Sequence, residues 1–307
     1  MQSIARTTIK DTIKDTIKVA ITHPSTSLVA TPSIGFIGAG AMAEALLRGL
    51  SDRFRAEPTR MLSASDPLES RRKAISNILP HVDVMDKNES LVHKSDHIVI
   101  AVKPFQVREV LHSIIDYIDP NHHLVISVAA GITTTTLEED LPEKTRVVRV
   151  MPNIACKVGE TAAAIVGGKY ATPKDIESAQ DMVTAGGGLA LIVSESQMDA
   201  VTGLAGSGPA YVYSFLEAMI EGGVAAGLTW DVSQRLALQT LRGAIKMTEA
   251  SFSEYTSLST SGLRAEVCSA GGTTISGIHA LERGGFRASI MDAVTAASAR
   301  SEALRKI

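Results

Sequence analysis

Cysteine is scarce, with two residues in 307. Two thiols in a chain of this length cannot build a disulfide framework, which fits a reducing compartment. Aromatic residues make up 4%, leaving little material for stacking on bases. Thirty Lys and Arg stand against 33 Asp and Glu, a net charge of -3, so no basic field exists to attract nucleic acid. No apolar run reaches the ~18 residues of a spanning helix. The nearest stretch, Ala210 to Leu228, is interrupted by Glu217 and Glu221. Neither nucleic acid nor a membrane is therefore expected as a partner. The 24 glycines follow no fixed period, which excludes collagen and solenoids. G-x-S-x-G, H-E-x-x-H and C-x-x-C are missing, and the eight histidines are scattered. His122-His123 reads as surface beside a turn, Cys156 and Cys268 as small buried residues, and no metal site is expected.

What is present is a globular composition, 45% hydrophobic and 21% charged, at a length that suggests about two domains. Residues 1–31 read as an extension of unknown role, with a TIKD-TIKD-TIK repeat. Asp11 and Asp15, and more Lys than Arg, argue against a transit peptide. A cytoplasmic protein is expected, with organellar targeting as the alternative. From Pro32 on, short apolar runs alternate with helical stretches: SIGFIG, MLSAS (61–65), HIVIAV (97–102), LVISVA (124–129), VVRVM (147–151), AAAIVG (162–167) and LALIV (189–193). Val107, Val110, Leu111, Ile114 and Ile118 follow period 3.6, and PKDIESAQDMVTAGG opens on Pro and closes on Gly, as helices do. Such alternation implies a parallel sheet covered on both faces. After residue 195 the strand signal ends and the segments read as helices rich in Ala and Gly. The expected fold is α/β: an N-terminal Rossmann-type parallel sheet at 32–195, followed by an all-helical C-terminal dimerisation domain at 196–307. The segment 210–228 has apolar residues on more than one face, among them Val212, Phe215, Met219 and Val224, and must be covered on all sides. A homodimer building larger homo-oligomers is expected.

Gly38-Ala39-Gly40-Ala41-Met42-Ala43 matches G-x-G-x-x-G/A between the first strand and a helix. The first Gly permits the tight turn, the second lets the backbone approach a pyrophosphate, and Ala43 keeps the helix against the strand. The second strand ends at Ser65-Asp66, with Arg71 and Arg72 following. An acidic residue there pairs with a ribose 2′-hydroxyl and repels a 2′-phosphate. With Ser65 facing the ribose and Asp66 past the strand end, pointing away, the reading favours NADP(H), with NAD(H) as the alternative. Near the other end, Cys268-Ser269-Ala270-Gly271-Gly272-Thr273-Thr274 precedes a helix. Its free N–H groups and hydroxyls suit a carboxylate, or form an ordinary helix cap. A dinucleotide fold without metal or nucleophile points to hydride transfer to a small molecule.

Taken in order, GFIGAGAM, AVKP (101–104), SVAAG (127–131), MPN (151–153), DAVTGLAGSGPAY (199–211) and VCSAGGTTISGIHALE (267–282) resemble the Δ1-pyrroline-5-carboxylate reductase family over residues 34–306. The resemblance implies NAD(P)H-dependent reduction of a cyclic imine to L-proline, the last step of proline biosynthesis. It places the cofactor on Ile37, Gly38, Ala39, Gly40, Ala41, Met42, Ser65, Asn88, Ala101, Val102, Lys103, Pro104, Val128, Ala129 and Ala130. It places the substrate carboxylate on Ser269, Gly272, Thr273 and Thr274, and Thr202 beside the nicotinamide and imine as the catalytic position. The chain departs from the family pattern in MPNIA for MPNTP, in SAGG for SPGG, and in Ala265 where an Asp is usual, so that a salt bridge anchoring that loop is expected to be missing. Two other readings stay open: a reductase for another imino acid or a hydroxy acid, and a non-catalytic NADP-sensing module.

Overall fold

Eight strands form one sheet in the order β3-β2-β1-β4-β5-β6-β7-β8. They are β1 Ile34–Ile37, β2 Leu62–Ser65, β3 Asp83–Met85, β4 His97–Ile100, β5 Leu124–Ser127, β6 Arg146–Met151, β7 Thr161–Gly167 and β8 Gly188–Ile192. This computed structural model describes residues 32–54, 61–253 and 259–304. The extension 1–31, on which the targeting question turns, lies outside the described residues.

The strands from β3 to β6 are mutually parallel. The expected Rossmann-type parallel sheet is present, with one exception at β7, which pairs antiparallel with β6 and parallel with β8. The reason is length. A parallel return needs a crossover of about a dozen residues or more, and the link from Met151 to Thr161 holds only a 3-10 turn, Ile154–Val158. The apolar runs also stop being strand earlier than their hydropathy suggests. Ala101 and Val102 follow the last residue of β4, and Val128 and Ala129 that of β5. These residues turn off the sheet to line its carboxyl edge.

Alternation along the strands sorts their side chains into two cores. On one face Phe36, Ala64, Val99, Ile126 and Val148 pack with Leu46, Leu47 and Leu50 of α1 (Ala41–Arg53). Ala179 and Met182 of a helix at Pro173–Val183 join them. On the other, Ile37, Ile98, Ile100, Val125 and Val147 meet Leu91, Val107, Leu111 and Ile114. Each fully buried aliphatic side chain contributes roughly 1.5–3 kcal/mol of transfer free energy. The Val107–Ile114 helix shows the predicted spacing, with 3-10 turns at both ends. Three elements carry no clear signal. The edge strand β3 is three residues long and starts on an exposed Asp. The helix α2 (Glu69–Ile78) buries only Ile75. The helix α3 (Asn88–Val92) spans five residues.

From Met198 the described residues form helices and the turns between them. One turn, Met198–Val201, widens into a π-helix at Thr202–Gly206. Five helices follow the three already labelled: α4 Gly208–Ala225, α5 Trp230–Ser253, α6 Thr260–Glu266, α7 Thr273–Arg283 and α8 Phe286–Leu304. Residues 32–307 make a single compact unit.

Candidate active site

The strand order reverses direction between β1 and β4, and the carboxyl ends of both strands open on the same edge. In open α/β sheets this switch point forms the ligand crevice. Gly38 leaves β1 with φ +99°, and a Cβ there would come within 2.8 Å of the Ala101 carbonyl oxygen. Only glycine meets both demands. Gly40 is the N-cap of α1, without a side-chain cap, and a Cβ on it would meet nothing within 4 Å. Open space therefore faces the uncapped N-terminus of a thirteen-residue helix, an arrangement that suits a pyrophosphate. The residues present thus fit a dinucleotide.

The other cofactor candidates border the same edge. Ser65, fully buried at the end of β2, donates its hydroxyl hydrogen to Asn88 Oδ1 at 2.8 Å. Two residues distant in sequence are thereby joined beside the crevice. Val128 and Ala129 are buried after β5, with Ala130 half-buried. Ala101, Val102 and Pro104 are half-buried and Lys103 is exposed; the Lys103 amide donates to Gln106 Oε1 at 3.3 Å. Asp66 departs from expectation. Its carboxylate does not point away but folds back on the glycine loop. Oδ2 accepts from the Ala39 amide and Oδ1 from the Leu68 amide, each at 2.9 Å.

Thr202 opens the π-helix, a form often found at functional sites. Its hydroxyl donates to the Met198 carbonyl at 2.8 Å. Asn153, from the MPN motif, ties this turn to the sheet: its Nδ2 donates to the Ala205 carbonyl at 3.1 Å. Its Oδ1 accepts from the amides of Ala155 and Ala162, so one side chain joins three segments. With Asn153 as its cap and Gly159 closing it in the left-handed region, the turn after MPN is well defined despite Ile154-Ala155. Gly203 lies against Ser298 and the Val294 carbonyl, which lets α8 come into direct backbone contact with the π-helix.

The Ser269–Thr274 turn lies on the surface of the helical region. Ser269, Thr273 and Thr274 are exposed and Gly272 is half-buried. Gly272 is the N-cap of the eleven-residue α7, without a side-chain hydrogen bond, so Thr274 does not cap its helix. The loop is also not without an ionic tie, since Arg264 Nη1 pairs with Glu282 Oε1 at 3.4 Å. The guanidinium next to Ala265 links α6 to α7.

Residues 195–304 match the family described as pyrroline-5-carboxylate reductase dimerisation, and 33–131 match that described as NADP oxidoreductase, coenzyme F420-dependent. A pyrroline-5-carboxylate reductase of Methanosarcina acetivorans is 44% identical, over 89% of this chain and 98% of its own. One from Glycine max is 41% identical, over 89% and 96%. The chain belongs to the pyrroline-5-carboxylate reductase family. A crystal structure of the Plasmodium falciparum pyrroline carboxylate reductase with NADP bound superposes with a TM-score of 0.79 at 32% identity, covering 90% of this chain and 98% of that one. The chain is accordingly an NAD(P)H-dependent oxidoreductase, with a Rossmann-type sheet and a helical region of the family's dimerisation type.

Within this reductase one ion pair escaped the sequence reading. Arg149 on β6 is fully buried and forms an ion pair with Glu195. The other carboxylate oxygen of Glu195 accepts from the Thr134 hydroxyl at 2.9 Å and its amide at 3.2 Å. Thr134 begins a short helix a few residues after Val128–Ala130, so the junction of sheet and helices is anchored beside the cofactor edge. No local pattern announces a pair 46 residues apart. Cys156 is chemically quiet. It is buried against Met42, Sγ to Sδ 3.7 Å, and burial pushes its thiol pKa up. Among the described residues no group of three His, Cys, Asp or Glu could hold a metal ion, and no helix is long and apolar enough to cross a membrane.

Proposed function

We propose that this chain reduces Δ1-pyrroline-5-carboxylate to L-proline with NADPH or NADH, the last step of proline biosynthesis. The observation that carries the reading is the pair of uncapped helix N-termini. One opens α1 at the switch point, the other opens α7 behind Ser269–Gly272. The first suits the cofactor pyrophosphate and the second the substrate carboxylate. Pyrophosphate contacts fall to Ile37, Gly38, Ala39, Gly40, Ala41 and Met42, the adenosine end to Ser65 and Asn88, and the nicotinamide end to Ala101–Pro104 and Val128–Ala130. When bound, the cofactor supplies a hydride to the imine carbon.

The protein's tasks are positional. A protonated imine is already electrophilic, so the site must hold the carboxylate, bring the carbon to about 3–3.5 Å from the hydride donor, and exclude water. Ser269, Gly272, Thr273 and Thr274 hold the carboxylate. The Thr202 hydroxyl hydrogen is engaged by Met198, so its oxygen is left to accept. It orients the N–H of the protonated imine rather than acting as an acid. The exposure of the Ser269–Thr274 turn, together with the dimerisation match, supports a homodimer whose second copy covers it. Larger homo-oligomers would be built from that dimer. Residues 32–195 form the dinucleotide-binding part, 196–307 the substrate and dimerisation part, and the protein works in the cytoplasm.

Oxidation of NADPH and of NADH, followed in parallel with the cyclic imine and with open-chain keto acids, tests the reading. Turnover confined to the cyclic imine is expected. Turnover of keto acids alone, or cofactor binding without oxidation, would sink it.

A further inference from the structure

The inward turn of the Asp66 carboxylate onto the glycine loop places a negative charge in the dinucleotide crevice. Asp66 follows β2 directly, and its amide donates to the Met85 carbonyl at 3.2 Å, which fixes it between the ends of β2 and β3. Its side chain reaches back to the Ala39 amide, the middle of the Gly38-Ala39-Gly40 turn. The carboxylate thus lies at the floor of the crevice, where the first and second strands end. A dinucleotide whose pyrophosphate rests on the N-terminus of α1 has its adenosine ribose read at this strand end. Each Asp66 oxygen accepts one backbone N–H and keeps a lone pair for a further donor.

A ribose 2′-hydroxyl can donate to such an oxygen. A 2′-phosphate, doubly acidic and carrying about -1.5 to -2 charges near neutral pH, offers no donor and meets like charge. The nearby arginines do not cancel this. Arg72 directs Nη1 to the carbonyls of Asp66 and Pro67, both at 2.8 Å, not to the carboxylate. Arg71 is exposed on α2.

We propose that Asp66 sets the balance between the two nicotinamide cofactors in this chain, weighting it toward the unphosphorylated ribose of NADH and against the 2′-phosphate of NADPH. The proposal rests on the crevice being a nicotinamide dinucleotide site. Ser65 and Arg72 remain able to receive NADPH, so Asp66 weights the choice and does not forbid one partner.

The test is equilibrium binding, independent of turnover. The Kd of NADH and of NADPH is measured by calorimetry on the full-length protein, its Asp66→Asn variant and its Asp66→Ser variant, with a melting curve for each. Asn keeps an acceptor oxygen in the turn and removes the charge. The ratio Kd(NADPH)/Kd(NADH) should fall about tenfold in Asp66→Asn, the scale expected of one like-charge contact at a partly solvated site. Asp66→Ser, small and neutral, should shift it in the same direction. A ratio unchanged within twofold in both variants would overturn the proposal, whatever the Tm. A lowered Tm with that result would mean that Asp66 only braces the turn. If neither nucleotide bound the unaltered protein, the crevice reading itself would fall, and the role of Asp66 with it.

Discussion

The two halves of the molecule solve the burial problem differently. In the first, β1, β2, β4 and β5 are buried along their whole length, covered by helices of the same chain. In the second, α5 buries little besides Ser233 and Ala237. Leu238, Ile245 and Phe252, seven residues apart and so on one face of the helix, are 48%, 59% and 70% exposed. Apolar surface in such a stripe is costly in water, at about 25 cal/mol per Å², and marks an interaction face. The sheet half covers its central strands within one chain, although its edge strand β8 leaves Leu189, Leu191 and Ile192 more than half exposed; the helical half leaves a whole apolar stripe uncovered.

The sharpest way to break this contrast is a charge on the exposed stripe. If the stripe seats the second copy of the proposed homodimer, Ile245→Asp should give a monomer by light scattering and lower kcat/KM a hundredfold or more, while leaving the Kd for NADPH within about threefold. A monomeric variant with full activity would show that the helical face is not needed for catalysis. The next largest effect is expected where the halves meet. Glu195→Ala removes the carboxylate that pairs with the buried Arg149 and should cost about 3 kcal/mol of stability by denaturant titration. Glu195→Gln, which still accepts from Thr134, should cost less.

A smaller effect is expected at the proposed carboxylate site. A hydrogen bond to a charged group is worth roughly 1.5–3 kcal/mol, so Thr274→Ala should lower kcat/KM by about one to two orders of magnitude. Most of this should appear in KM for the imine, because the carboxylate is charged before reaction begins. Thr274→Ser should keep most activity. A lower Tm with unchanged kinetics would return Thr274 to a purely structural role. Least of all should follow from deleting residues 1–30. If no positioning group is lost, kcat/KM stays within about twofold; a hundredfold loss would give the extension a part in the site.

How much of this was legible in the sequence depended on the range of the interaction. The strand, glycine turn and helix around Gly38 form a local motif, and their geometry followed the spacing. The antiparallel β7 was legible only in the shortness of the link before it, because its own residues are as apolar as those of a parallel strand. The edge strand β3, with Asp83 at its head, has too few apolar positions to show a period. Asp66 was visible as a residue type, but the direction of its side chain depends on the Ala39 amide, which the fold brings to it from 27 residues away. The Arg149–Glu195 pair and the Asn153–Ala205 bond belong to the same class.

The Arg149–Glu195 pair also bears on how the chain can be divided. All eight strands are in place by Ile192, and a polypeptide cut there would look like a whole α/β domain. It would nonetheless hold Arg149, whose guanidinium is fully buried in the whole chain, without the Glu195 carboxylate that arrives three residues later. Removing one member of a buried ion pair is among the costlier changes a fold can suffer. The change from strands to helices near residue 195 is thus a seam in texture that folding does not respect. The sheet and the helices should unfold in one cooperative step, and a stand-alone version of the sheet would need Glu195 retained or Arg149 replaced by an apolar residue.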